Sequence, residues 1–189
     1  MQLISAPKQL FQKRSHIKNI TLSILVPVYN ESEMLTTFHH EVCKVAASLP
    51  DENIEILYVN DGSTDGSWSL LQSLKSDIVN IERINLSRNF GKEAAMTAGL
   101  DLVKGESVIL LDADLQDPPS LIPQMLAKWR EGFDVVNMKR TERLGESRFK
   151  TASAHIYYRL LAALSDVPIE KDVGDFRLLS RRVIDHIKK

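Results

Sequence analysis

The sequence predicts an α/β domain built on a mostly parallel sheet flanked by helices. From Leu22 onward, short β-branched runs alternate with longer segments of helical period, the pattern of strands joined by crossover helices. The chain has 189 residues, 43% hydrophobic and 26% charged, which suits one compact unit burying its own core.

The strands are expected at 22–28, 54–60, 80–86, 107–112 and 133–137. After the first, Met34, Leu35, Phe38, Val42, Val45, Ala46 and Leu49 recur at three- and four-residue steps and predict an amphipathic helix. Asn30 is placed to cap it while Glu33 reaches back, as in a capping box. Further helices are expected at about 67–76, 92–103 and 119–131. Past the fifth strand come a charged segment from Met138 to Lys150 and a helix at about 149–165 with Ile156, Tyr157, Leu160, Leu161 and Leu164. Gly174-Asp-Phe-Arg-Leu178 and a last helix from Ser180 complete the chain.

Residues 1–20 read as a basic arm, with Lys8, Lys13, Arg14 and Lys18 but without the apolar block of a secretory signal. No stretch approaches the roughly 18 apolar residues that span a bilayer, so the chain as it stands is expected to be soluble or peripheral. A net charge of −1 argues against a general polyanion binder, and no nucleic-acid partner is expected. The single cysteine, Cys43, has no partner for an internal disulfide, which fits a reducing compartment. Homo-oligomer formation stays open.

Right-handed crossovers bring the loops at the carboxyl ends of the strands to one rim. Three of those loops are polar: Tyr29-Asn30-Glu31, Asp61-Gly62-Ser63-Thr64-Asp65-Gly66, and Asp112-Ala113-Asp114-Leu115-Gln116-Asp117. Two aspartates one residue apart at a strand end repel unless a cation or hydrogen-bond donors neutralise them. Mg2+ or Mn2+ accepts carboxylate and amide oxygens, so Asp112, Asp114 and Gln116 are candidate ligands. Alone, an Asp-x-Asp pair is weak evidence and favours a solvated turn ahead of Pro118-Pro119.

Asp61 changes that reading, because it ends the neighbouring strand in a loop whose Gly62 and Gly66 permit close backbone approach to a ligand. A bound nucleoside accounts for both loops: Asp61 accepts from base or ribose while Asp114 and Gln116 hold a metal on the diphosphate. Asp65 or Ser67 is also placed to cap the next helix. Arg88 and Lys92, four apart where the third strand passes into a helix, are placed to reach one anion. Surface salt bridges are their ordinary alternative.

Val26-Pro-Val-Tyr-Asn-Glu31, Val59-Asn-Asp-Gly-Ser-Thr-Asp65 and Leu111-Asp-Ala-Asp-Leu-Gln-Asp-Pro-Pro119 resemble glycosyltransferase family 2. Leu86-Ser-Arg-Asn-Phe-Gly-Lys-Glu-Ala-Ala95 and Gly174-Asp-Phe-Arg-Leu178 narrow the resemblance to the polyprenyl-phosphate glycosyltransferases, the group of dolichol-phosphate mannose synthase and the bactoprenol glucosyltransferases. It covers about residues 20–189 and makes residues 21–189 the catalytic domain. The resemblance implies a GT-A fold with a Rossmann-like nucleotide-binding half and an inverting transfer from a nucleotide sugar. It also implies a metal at Asp112, Asp114 and Gln116, and nucleotide contacts at Pro27, Tyr29, Glu31 and Asp61, to which Asp112, Arg88 and Lys92 are added. By the same analogy Asp175 lies near the reacting centre.

A polyprenyl phosphate acceptor keeps its tail in the bilayer, so the full-length enzyme is expected at the cytoplasmic face of a membrane, and members of the group commonly carry membrane helices after this domain. The resemblance places the acceptor phosphate in the basic stretch that holds Lys139, Arg140, Arg143, Arg148, Lys150 and Arg159. Guanidinium groups grip phosphate through paired hydrogen bonds, and Arg140, with Lys150 and Ser153, is the chosen set. Composition alone reads the same stretch as a solvated face. Arg140, Asp114 and Asp175 are the residues expected to act in catalysis.

Two competing readings remain. A sugar nucleotidyltransferase also uses a doubly wound sheet and metal carboxylates, but typically shows a Gly-rich, Lys/Arg-bearing loop after its first strand, where this chain has Tyr29-Asn30-Glu31. The other is a nucleotide-sugar-binding module without turnover.

Overall fold

The computed structural model describes residues 20–139 and 173–189. A six-stranded sheet forms the centre, with β1 (Leu22–Val28), β2 (Ile54–Asn60), β3 (Asn80–Asn85), β4 (Ser107–Leu110), β5 (Val135–Lys139) and β6 (Val173–Ser180). The helices are α1 (Leu35–Ala47), α2 (Ser67–Ser73), α3 (Lys92–Leu102), α4 (Ile122–Arg130) and α5 (Arg181–Ile187), with a 3-10 turn at Pro119–Leu121 ahead of α4.

The strand order is β3-β2-β1-β4-β6-β5. The first four strands in that order run parallel, whereas β6 is antiparallel to both β4 and β5. β1 and β2 occupy the predicted spans because each is a nearly unbroken buried run, as expected for a strand covered on both faces.

Two apolar layers flank the sheet. Ile24, Val26, Ile56 and Ile109 pack with Phe38 and Val42 of α1, Leu71 of α2 and Met125 of α4. On the opposite face Leu25, Val59, Val108 and Leu110 pack with Ala95 and Met96 of α3 and Ile184 of α5. Gly99 lets α3 lie close to the sheet, since a Cβ there would stand 2.2 Å from a methyl of Leu25.

Three expectations need correction. The first helix starts at Leu35 and not at Asn30; its N-cap position, Met34, makes no side-chain capping bond. Asn30 instead adopts φ 54 and accepts the Thr64 N–H at 2.9 Å, so its oxygen is committed to another loop. The Gly174-Asp-Phe-Arg-Leu178 segment lies within β6, a strand between β4 and β5 that the apolar pattern of the sequence does not signal. The fifth predicted strand is displaced from 133–137 to Val135–Lys139, because Phe133 and Asp134 belong to the turn after α4, where the Asp134 carbonyl accepts the Ser180 N–H. The last helix begins as expected, with Ser180 Oγ accepting from Val183 N. The basic arm and the helix expected at 149–165 lie outside the described residues.

Candidate active site

The first two polar loops are zipped to each other. Asn30 N donates to Ser63 Oγ at 3.0 Å, Glu31 N to Ser67 Oγ at 2.9 Å, and Ser32 N to Asp65 Oδ2 at 3.0 Å. Asp65 Oδ1 also accepts the Ser67 N–H at 2.9 Å just ahead of α2, whose N-cap position is Gly66 and carries no side-chain capping bond. Burial of Asp65 would raise its carboxyl pKa, but the bonds from Ser67 and Ser32 outweigh it and hold the group below the usual range. Most polar side chains of 61–67 therefore build a wall. Asp61 is the member of that loop that lines the cleft behind it.

Asp61 is buried, and its carboxylate accepts Phe90 N and Gly91 N, both at 2.8 Å. It fixes the turn that launches α3. Gly62 (φ 64) serves the same junction, because a Cβ there would stand 2.3 Å from the carbonyl carbon of Arg88. The close approach expected at Gly62 is thus to the chain's own backbone. Gly66 is less crowded, since a Cβ there would stand 3.9 Å from Ser32 Cβ, an ordinary contact.

Gly91, at φ 98, precedes the first residue of α3. Arg88 and Lys92, expected to reach one anion from this strand-to-helix junction, face different partners. The Arg88 guanidinium lies 4.3 Å over the Phe90 ring, whereas Lys92 Nζ donates at 2.7 Å both to Asp112 Oδ2 and to Asp175 Oδ2. Burial works to lower the Lys92 pKa, but the bonds to Asp112 and Asp175 raise it on balance. Arg177 Nη2 stands 3.6 Å from the other Asp175 oxygen.

Strand register explains why two distant aspartates share one lysine. At the end of β4, Ile109 stands opposite Leu178 and Leu110 opposite Arg177 of β6. Two residues past Leu110 and two before Arg177 stand Asp112 and Asp175, which the antiparallel run of the chain brings to the same lysine. Like charges directly opposed across an antiparallel pair destabilise it, and an ammonium between them removes that cost.

The cleft at this rim has a volume of about 240 Å3. Pro27, Tyr29, Glu31, Asp61, Lys92, Asp112 and Asp114 all border it. Val28, Asn89, Gly91 and Ala113 border it too and are not among the residues the sequence singles out. The signal for Asn89 and Gly91 is the segment around Lys92, where only the charged positions stand out chemically. Arg88 and Gln116 are not among the bordering residues; Gln116 N donates at 3.0 Å to Asp114 Oδ1, closing a turn in which Leu115 takes φ 59. A non-glycine residue in that region is uncommon and marks a tightly held loop.

Burial raises the Glu31 pKa, and the charges of Asp114, Asp112 and Asp65 raise it further. Negative charge is thus concentrated at the mouth of Asp112-Ala-Asp114, from hard oxygen donors that suit Mg2+ or Mn2+. Among the described residues no group of three or more His, Cys, Asp or Glu side chains is arranged to hold a metal by itself. A cation here would take its remaining ligands from a phosphate or water. Arg140, Lys150 and Ser153 lie outside the described residues.

Residues 23–188 match the model of glycosyl transferase family 2. The chain is 44% identical over 172 residues to the Bacillus subtilis glycosyltransferase YkcC, covering 91% of this chain and 53% of that protein. It is 41% identical over 167 residues to the bactoprenol glucosyl transferase of Shigella phage SfV, covering 88% and 54%. The chain therefore spans about half the length of the curated relatives it matches. Among solved structures, the Pyrobaculum calidifontis mannosyltransferase PcManGT, in complex with GDP-Man and Mn2+, superposes with a TM-score of 0.62 at 18% identity, covering 90% of this chain and 47% of that one. That likeness identifies the fold as GT-A.

Proposed function

This chain belongs to glycosyltransferase family 2, and from that premise we propose that it transfers a hexose or related sugar from a nucleotide sugar, of the UDP type, to a membrane polyprenyl phosphate with inversion. The observation that carries this reading is the convergence of Tyr29, Glu31, Asp61, Lys92, Asp112 and Asp114 on one cleft at the carboxyl edge of the sheet. The naming of relatives as bactoprenol glucosyl transferases supports the acceptor class and makes glucose the leading sugar.

The donor lies with its nucleoside against Pro27, Tyr29 and Asp61 and its diphosphate toward Lys92 and Asp112-Ala-Asp114. Arg88, next in the chain to Asn89 of the cleft wall, adds positive charge at the nucleotide end. The start of α3 directs backbone N–H groups and positive dipole to the same rim. Asp112, Asp114 and Gln116 would hold Mg2+ or Mn2+, which supplies positive charge to the diphosphate as the glycosidic bond breaks.

A phosphomonoester has its second pKa at about 6 and is already a dianionic nucleophile near neutrality. Asp175 therefore orients the acceptor or sugar more than it removes a proton. Arg140, Lys150 and Ser153 are assigned to the acceptor phosphate. Among the described residues no helix is long and apolar enough to cross a membrane; the full-length enzyme would meet its lipid at the cytoplasmic face.

A thermal-shift panel of nucleotide sugars with Mn2+ tests the donor site. A UDP-hexose is expected to raise Tm more than UMP or the free sugar does. Stabilisation by none of the nucleotide sugars overturns the reading.

A further inference from the structure

We propose that Lys92 and a divalent cation compete for Asp112, so that metal binding is coupled to the nucleoside diphosphate, whose oxygens accept the displaced ammonium. The inference rests on the donor reading above and adds an order to it: metal and nucleotide enter together, and metal alone enters poorly.

Geometry sets the competition. Lys92 Nζ stands 2.7 Å from Asp112 Oδ2, within the distance of a strong charge-assisted bond, so a cation on that oxygen meets a positive charge at its own contact distance. The ammonium cannot simply relax away from the sheet, because it also bridges to Asp175 at 2.7 Å. Removing the ammonium leaves Asp112 without that partner beside Asp175, whose other oxygen has Arg177 Nη2 at 3.6 Å.

The backbone of Lys92 is fixed, while its flexible stem lets the ammonium exchange carboxylate oxygens for phosphate oxygens. Asp61 clamps Phe90 N and Gly91 N, which anchors the start of α3. The four-carbon stem beyond it is flexible, and the Lys92 side chain remains 37% exposed toward the cleft. A diphosphate at that rim offers the ammonium new oxygens of higher charge than one carboxylate. Asp112 is then released to a metal, and the metal's charge compensates Asp112 in place of the lysine. Lys92 is in this sense a positioning residue that carries positive charge from the aspartate pair to the leaving group.

Titration of Mn2+ into the chain, followed by the free-ion electron paramagnetic resonance signal, tests the inference. Lys92→Met removes the charge while keeping an unbranched stem, and it is expected to bind Mn2+ alone at least about tenfold more tightly than wild type. Lys92→Arg keeps a cation and is expected to bind Mn2+ alone as weakly as wild type. In wild type, UDP is expected to tighten Mn2+ by at least about tenfold, and in Lys92→Met by clearly less. Equal or weaker affinity of Lys92→Met for Mn2+ alone, with melting showing it folded, overturns the inference. If UDP and Mn2+ still bind wild type, the donor reading survives that result. If Lys92→Met gains Mn2+ affinity but no nucleotide binds wild type, the competition stands and the donor reading falls.

Discussion

The carboxylate of Asp61 accepts the backbone N–H of Gly91 at 2.8 Å, joining the end of β2 to the start of α3 across 30 residues of chain. Its other oxygen accepts Phe90 N at the same distance. One buried side chain therefore holds the segment from which Lys92 reaches Asp112 and Asp175.

Asp61→Ala is expected to cost about 2–3 kcal/mol, the loss of charged hydrogen bonds at a buried position, and to lower Tm by about 5–10 °C. Asp61→Asn should not restore it, because an amide N–H would then face a backbone N–H. Urea unfolding of both variants measures the effect; wild-type stability in Asp61→Asn would contradict the clamp.

Gly62→Ala should damage the same junction from the other side. Its Cβ would stand 2.5 Å from Asn89 N, at a backbone φ of 64 that disfavours a side chain. A loss of about 2 kcal/mol or more is expected in the same unfolding experiment, together with weaker nucleotide binding, since Asn89 borders the cleft.

Asp65 gives the account a pH signature. Its folded pKa lies below its ordinary value of 3.8 because Ser67 and Ser32 donate to the ionised form. A depressed carboxylate contributes stability that is complete above the unfolded pKa and lost as pH falls through the folded one. Asp65→Asn should cost about 1 kcal/mol at pH 7, a figure kept low for solvent screening. Wild type and variant should converge as the pH drops below 3.8. A stability difference independent of pH would contradict the ionised clamp.

The parts of the fold that were legible in the sequence are those whose signal is local. β1 and β2 show as buried apolar runs, and α5 announces itself through Ser180. β6 did not, because Gly174, Asp175 and Arg177 interrupt its apolar face, and its place between β4 and β5 is decided by partners distant in sequence. The site was legible as a list of residues that converge. The work of individual residues was not: Asn30, Ser63, Asp65 and Ser67 are spent on holding two loops together, and the pairing of Asp112 with Asp175 through Lys92 depends on strand register.

The most direct test of the central claim is transfer of labelled sugar from a UDP-hexose to a short-chain polyprenyl phosphate in the presence of Mn2+, comparing wild type with Asp114→Ala. The account predicts lipid-linked sugar with wild type and a rate at least about a hundredfold lower with Asp114→Ala, the scale of losing one electrostatic stabiliser of the leaving group. Absence of transfer by wild type, or equal and metal-independent transfer by Asp114→Ala, would contradict it.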